Sequence, residues 1–444
     1  MRNSKMSIAA LAATATTALA AAVPQVTDVT MAQSTGGRLV TITYTLADAP
    51  AVVTLEVQTN ANTSALADDP GWTSIGGAAV SNAKGDVWKK VDEGSHTITW
   101  RPDYSWPDHV IPSAGARAKV TAWALDNTPD YMVVDISDTA QQNTQRYYTS
   151  ADCLPGGILE NEDYRKTKIL MRKVMAKDVE WTMGSIGTEP GHSDREATHT
   201  VTLTNNYYIG VFPVTQSQWY TIRRLGDISS YFNNPEDYAM RPMDKVSYNQ
   251  IRMAAANSHV AAEDAREWPG APYSTSFLGV LRSKTGLDFD LPSEAQWEFA
   301  ARAGHGSPDW GDGSTITSST DDPSLTRLGR YKFSGGYIDG SEPASSCRAT
   351  NGTAIVGTYE HNSWGIYDMH GNVWELCLDW YKKDISSLDG AVNTDSGKNT
   401  RVRRGGSWSS PASDCRASAR GEYAPNYGAG NNVGFRLACT AGLQ

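Results

Sequence analysis

The sequence predicts an all-β N-terminal domain joined to an α+β domain with little regular structure, and three observations predict it. Short runs of alternating apolar and polar residues fill 24–137, with no helical period among them. Three helix starts with side-chain caps lie between Thr215 and Gly304. Gly (39) and Trp (14) are abundant while only 20% of residues are charged, a mix suited to irregular backbone packed around indoles. At 444 residues the chain is long enough for two or three domains, each with its own core.

Residues 1–22 read as a signal peptide. Arg2 and Lys5 form a basic start, an Ala/Leu/Thr run follows to Ala22, and Ala18-Leu19-Ala20 is a cleavage-type triplet. The expectation is a secreted, periplasmic or cell-surface protein. No later stretch has the apolar length of a membrane span, so no transmembrane segment is expected. The net charge of −10, with no basic block, argues against a nucleic-acid partner.

In 24–137 the runs 39–46, 52–58, 96–100 and 118–124 keep the period of two of half-buried strands, with Asn, Gly, Asp and Pro clusters between them. This predicts a β-sandwich of immunoglobulin or fibronectin type, although the segment contains no Cys. Its default role is that of a structural or adhesive spacer. Residues 138–163 are polar and turn-rich and read as a linker. The second domain, 164–440, opens with a strand-like run at 168–174.

Within it Thr215 and Ser247 read as N-caps of helices. Ser293 with Gln296 reads as a capping box, and Trp297, Ala300 and Ala301 fall at helical spacing before Gly304 ends the helix. Two later blocks stand out, Gly365–Tyr381 and Arg401–Arg436.

The blocks Met183-Gly-Ser, Pro213-Val-Thr, Val246-Ser, Leu291-Pro-Ser-Glu-Ala-Gln-Trp-Glu, Gly371-Asn-Val-Trp-Glu, Arg404-Gly-Gly-Ser-Trp and Gly434-Phe-Arg follow one another in that order. Together they resemble the formylglycine-generating enzymes, or sulfatase-modifying factors, over roughly 168–439. The resemblance implies a variant of the C-type lectin fold. It also implies a structural Ca²⁺ held by the side chains of Asp368 and Glu375 and the carbonyls of Gly371 and Val373, oxygen ligands that suit a hard cation. A turn held by carboxylate–backbone hydrogen bonds without metal is the bland alternative.

Family enzymes that oxidise a sulfatase cysteine hold Cu(I), a soft ion, between two cysteines. Those positions here are Ser410 and Cys415, with Ser407 and Arg420 also matching. One sulfur is missing, and a serine hydroxyl is a poor Cu(I) ligand, so copper is disfavoured. The catalytic candidates are Cys415, Ser410 and Ser407. The helix-bundle domain that carries a three-histidine iron site in related sulfoxide synthases is absent, and no histidine pair has helical metal-ligand spacing.

The loop from Ser409 to Tyr427 is rich in Ser, Asp, Asn, Ala and Tyr, as contact surfaces are. The fold with this block also resembles the displayed variable proteins of diversity-generating retroelements. Candidate ligand contacts are Trp408, Ser409, Asp414, Arg416, Arg420, Tyr423 and Asn426. Five cysteines is an odd number and none of the spacings suits zinc. Cys377 with Cys415 is the expected disulfide, although connectivity does not follow from sequence. The leading expectation is a Ca²⁺-stabilised module that recognises an extracellular protein or glycan. The alternatives are a formylglycine-type oxidase and a structural surface protein.

Overall fold

The computed structural model describes residues 23–440 except 224–229, 234, 254–267, 337–351, 396, 398 and 429. The expected signal segment and Cys347 lie outside the described residues.

Alternating burial builds the N-terminal part. Strand Val40–Ala47 points Val40, Ile42, Tyr44 and Leu46 inward. It lies between Gln25–Gln33 and Gly94–Trp100 in one antiparallel sheet. Ala51–Thr59 pairs with Ala116–Trp123 along one edge and with Lys89–Val91 and Thr73–Ser74 along the other. Ala51, Val53, Leu55 and Val57 meet the inward face of the first sheet in one apolar cluster. Two one-turn helices, Gly77–Val80 and Pro102–Ser105, interrupt the strands.

Strand pairing crosses the boundary expected at 137. Tyr131–Asp135 pairs with Lys168–Val174 in a six-stranded antiparallel sheet that continues through Tyr207–Gly210, Ala438–Thr440 and Phe289–Asp290. The expected linker is no free connection either. Its strand Arg146–Tyr148 forms the far edge of that sheet, and two 3₁₀ turns follow, at Ala151–Cys153 and Glu162–Arg165. The physical reason lies in Tyr131-Met-Val-Val, which is buried on both faces. Tyr131 and Val133 join the N-terminal cluster, and Met132 and Val134 the central one. A strand apolar on both sides shows no period of two.

All three expected caps form, and each is reciprocal. Gln218 N–H donates to Thr215 Oγ1 (3.2 Å) and Thr215 N–H to Gln218 Oε1 (3.0 Å), opening helix Gln216–Arg223. Ser247 and Gln250 repeat the pattern ahead of a short π-helical turn, Asn249–Met253. Ser293 and Gln296 repeat it for helix Glu294–Arg302, which ends in a left-handed Ala303 and Gly304. A further helix, Phe277–Thr285, brings Phe277 against Trp219 (4.9 Å) and Phe435 (5.2 Å) at the centre of the core.

The last sheet runs in the order Arg420–Tyr423, Arg401–Arg404, Trp374–Trp380 and Val433–Gly434. Arginine–carboxylate pairs bury it against the rest. Glu294 takes Arg420 bidentately (2.5 and 2.7 Å), and Glu298 takes Arg302 (2.8 Å) and Arg404. Among the described residues no helix is long and apolar enough to cross a membrane.

Candidate functional site

The tight approach at Gly405-Gly406 shapes the loop that follows them. Both have positive φ (90° and 70°), and a Cβ at Gly406 would stand 2.6 Å from Cys415 Sγ. Cys415 is fully buried, and desolvation, with Asp414 beside it, pushes its thiol far above the ordinary range. Ser410 is buried as well. Its Oγ accepts from Ser407 N–H and lies 3.2 Å from Ser407 Oγ, which is 3.2 Å from Ser409 Oγ. The three catalytic candidates therefore do come together, as a hydroxyl cluster beside a protonated thiol.

Cys377 and Cys415 do not pair. Both thiols are free, and they belong to separate apolar clusters. Cys377 sits on strand Trp374–Trp380, packed with Trp297 and Ala300. Cys415 ends the short helix Ala412–Cys415, packed with Trp310 and Tyr331. Two blocks near each other in sequence face different cores.

Most of the expected ligand contacts are core residues. Trp408 is fully buried, donates its indole N–H to Asn431 O (3.1 Å), and meets Phe232 edge-on at 5.2 Å. Arg416 is held by Glu189 (2.6 Å) and Glu196 (2.8 and 2.9 Å), and Arg420 by Glu294. Tyr423 is buried, Ser409 and Asp414 are half-buried, and only Asn426 is exposed. Small polar residues in this loop satisfy backbone and ion pairs, a role that composition does not separate from contact surface.

At the expected calcium turn, Asp368 and Asn372 have positive φ. Asp368 is buried, accepts from Gly357 N–H (2.7 Å) and Asn372 Nδ2 (3.1 Å), and among the described residues forms no ion pair. Burial pushes its carboxyl up to about 6. Glu375 is instead neutralised: Arg436 donates to both its oxygens (2.8 and 2.9 Å), and Trp297 Nε1 to one (2.6 Å). Gly371 N–H bonds Gly405 O at 2.6 Å, and the buried Val373 packs against Gly434. Among the described residues no three acidic, His or Cys side chains gather as a ligand set. The all-oxygen donor set suits a hard cation through Asp368, whose carboxylate no arginine bonds directly among the described residues, more than through Glu375.

A separate concavity lies away from these residues. A cleft of about 540 Å³ opens beside the sheet edge at Phe289–Asp290 and is lined by Thr202, Asn205, Asn206, Asp288, Asp290 and Trp268. Trp268 is 36% exposed. Through Trp268, Leu378 and Val392 the cleft continues into a smaller pocket with Trp380, Asn393 and Arg401. Asp290 is engaged by Arg252 (3.0 Å) and Arg282 (3.1 Å), while the Asp288 side chain is mostly exposed. None of these residues was singled out from sequence. They are scattered over 200–440, and no local pattern connects them.

Known proteins share part of this chain. Residues 165–441 match the family described as the sulfatase-modifying factor enzyme 1-like domain. The serine/threonine-protein kinase pkn1 of Chlamydia pneumoniae is 28% identical over 291 residues, 63% of this chain and 39% of the kinase. The chaperone protein LppX of Paenibacillus barcinonensis is 28% identical over 252 residues, 53% of this chain and 81% of LppX. The formylglycine-generating enzyme of Streptomyces coelicolor is 35% identical over 164 residues, 34% of this chain and 47% of the enzyme. The chain thus spans under half the length of the kinase and the enzyme it matches. The C-terminal fold, mostly β with long loops, is C-type-lectin-like. With the ordered blocks, the capped helices and the matched span in agreement, this chain belongs to the sulfatase-modifying factor family.

Proposed function

We propose that the protein is an exported recognition module that binds a glycan in the cleft beside Trp268. The observation that carries this reading is a half-exposed indole set over a wall of Thr, Asn and Asp oxygens and amides. An aromatic face takes the apolar side of a sugar ring, and amides and carboxylates take its hydroxyls. The family alone does not bring oxidase chemistry, because relatives named as a kinase and a chaperone share the match. At Ser410 and Cys415 a hydroxyl and a buried, protonated thiol stand where that chemistry needs two thiolates. An immunoglobulin- or fibronectin-type N-terminal sandwich would serve as the spacer that presents the cleft. Ca²⁺ at Asp368 would brace the turn beneath the last sheet.

A glycan array on the purified secreted chain, followed by titration calorimetry, tests the reading. Trp268→Ala should weaken any neutral glycan bound by about two- to tenfold, since stacking on one indole contributes about 0.5–1.5 kcal/mol. Unchanged affinity in that variant would sink the assignment of the cleft.

A further inference from the structure

Arginines from Arg401 to Arg436 are nearly all spoken for. Arg404, Arg416, Arg420 and Arg436 each bond a buried carboxylate, and Arg401 donates to Leu378 O at 2.7 Å. Arg403 differs. Among the described residues it forms no hydrogen bond and no ion pair, and its Nε, like that of Arg404, is buried without a hydrogen-bond acceptor. A buried donor left unmatched costs about 1–3 kcal/mol, so such a group calls for an explanation.

The surroundings of Arg403 are built rather than accidental. It faces Gly421 across the strand pair, and its guanidinium carbon lies 4.8 Å from the Trp374 ring and 5.5 Å from the Tyr423 ring. A Cβ at Gly421 would stand 2.8 Å from Arg403 Nε and 3.4 Å from the Trp374 ring, so glycine makes the room in which the Arg403 side chain lies. Asp414 and Glu422 are the acids that face it, and neither is in contact. Desolvation lowers the hold of Arg403 on its own proton, as expected of a charge with too little compensation. At the outer end Tyr427 meets Tyr423 edge-on at 5.5 Å and is 53% exposed, next to the exposed Asn426.

We propose that Arg403 is the seat for the carboxylate of a uronic-acid residue, with the Tyr423–Tyr427 pair offering a platform for its ring. A guanidinium fork with free N–H groups matches a carboxylate bidentately, and the rings on either side exclude water from the pair. An acidic peptide would supply the carboxylate but no ring for the exposed tyrosine. Arg401, two residues back on the same face of the strand, lines the inner pocket of the Trp268 cleft, so seat and cleft lie along one sheet face. The proposal rests on the glycan reading and makes its ligand acidic.

The test is titration calorimetry on the full chain with three probes: an oligogalacturonate, its methyl ester, and polyglutamate of equal charge. The wild type should bind the oligogalacturonate, lose affinity about tenfold or more on esterification, and ignore polyglutamate. Arg403→Gln should lose as much as esterification does, and Arg403→Lys should retain part, with melting temperatures checking that both fold. If Arg403→Gln fails to fold, the ester and the lysine variant decide. Equal binding by Arg403→Gln, equal binding of polyglutamate, or no binding of the acid oligomer by the wild type would each overturn the seat. Neutral-glycan binding that needs Trp268 but survives Arg403→Gln would show the cleft reading intact when the seat has failed. Uronate binding without any neutral-glycan binding would show the reverse.

Discussion

Asp368 and Glu375 show how two carboxylates seven positions apart on one turn divide into two roles. Glu375 is the counter-ion of Arg436, and that pair ties the sheet strand Trp374–Trp380 to the C-terminal segment. Among the described residues the buried Asp368 carboxylate is hydrogen-bonded by neutral donors alone, with Arg436 bonding only the Asp368 backbone carbonyl, a costly arrangement for an ionised carboxylate. A hard cation there would offset that cost and act as a ligand of the folded state. We therefore expect added Ca²⁺ to raise the melting temperature over that in chelator, by about 2.7 kcal/mol of stability at a hundredfold excess over Kd. Asp368→Asn should lose the shift while folding normally. A wild type that melts alike in Ca²⁺ and in chelator would remove calcium from this turn. The carboxylates were legible in the sequence as a pair. Their division was not, because it depends on Arg436 and Trp297, both distant in the chain.

Among the elements, helix Glu294–Arg302 shows what local sequence reveals and what it hides. Its capping box, its apolar spacing and its end at Gly304 are all written within a dozen residues, and each is present in the fold. Its buried acids are a different matter. Glu298 accepts from Gly184 N–H and Arg302 (2.8 Å each) and from Arg404, which hold its carboxyl below its ordinary value against the burial that pushes it up. No periodicity announces partners more than a hundred positions away. The two kinds of interaction should separate in unfolding measurements. Ser293→Ala removes one cap and should cost about 1 kcal/mol. Glu298→Ala takes from Arg302 its carboxylate and leaves Arg404 with Glu294 alone, and should cost about 3–5 kcal/mol. Similar losses for the two variants would mean that the ion pairs add little beyond the cap.

For the whole molecule, the question is whether the two parts fold as separate domains. The sequence suggests so, because composition changes near 138 and the following stretch is polar. The packing joins them. Tyr131 and Val133 sit in one cluster with Val40, Ile98 and Val120 from the N-terminal sheets and with Leu170, Phe212 and Tyr367 from the C-terminal part. Tyr147 N–H donates to Trp88 O at 2.8 Å, and Tyr148 stacks on Trp88 at 5.3 Å. A polar stretch reads as a linker when its few aromatic residues are averaged with their neighbours, and those few residues are what lock it down here. Cooperativity follows from sharing a core, since neither part can open without exposing apolar surface of the other. Scanning calorimetry of the full chain should therefore show one heat-absorption peak, and Val133→Asp, which places a charge in the shared cluster, should lower that whole peak. Two resolved peaks, with only one moved by the substitution, would establish independent domains and restore the boundary near 138.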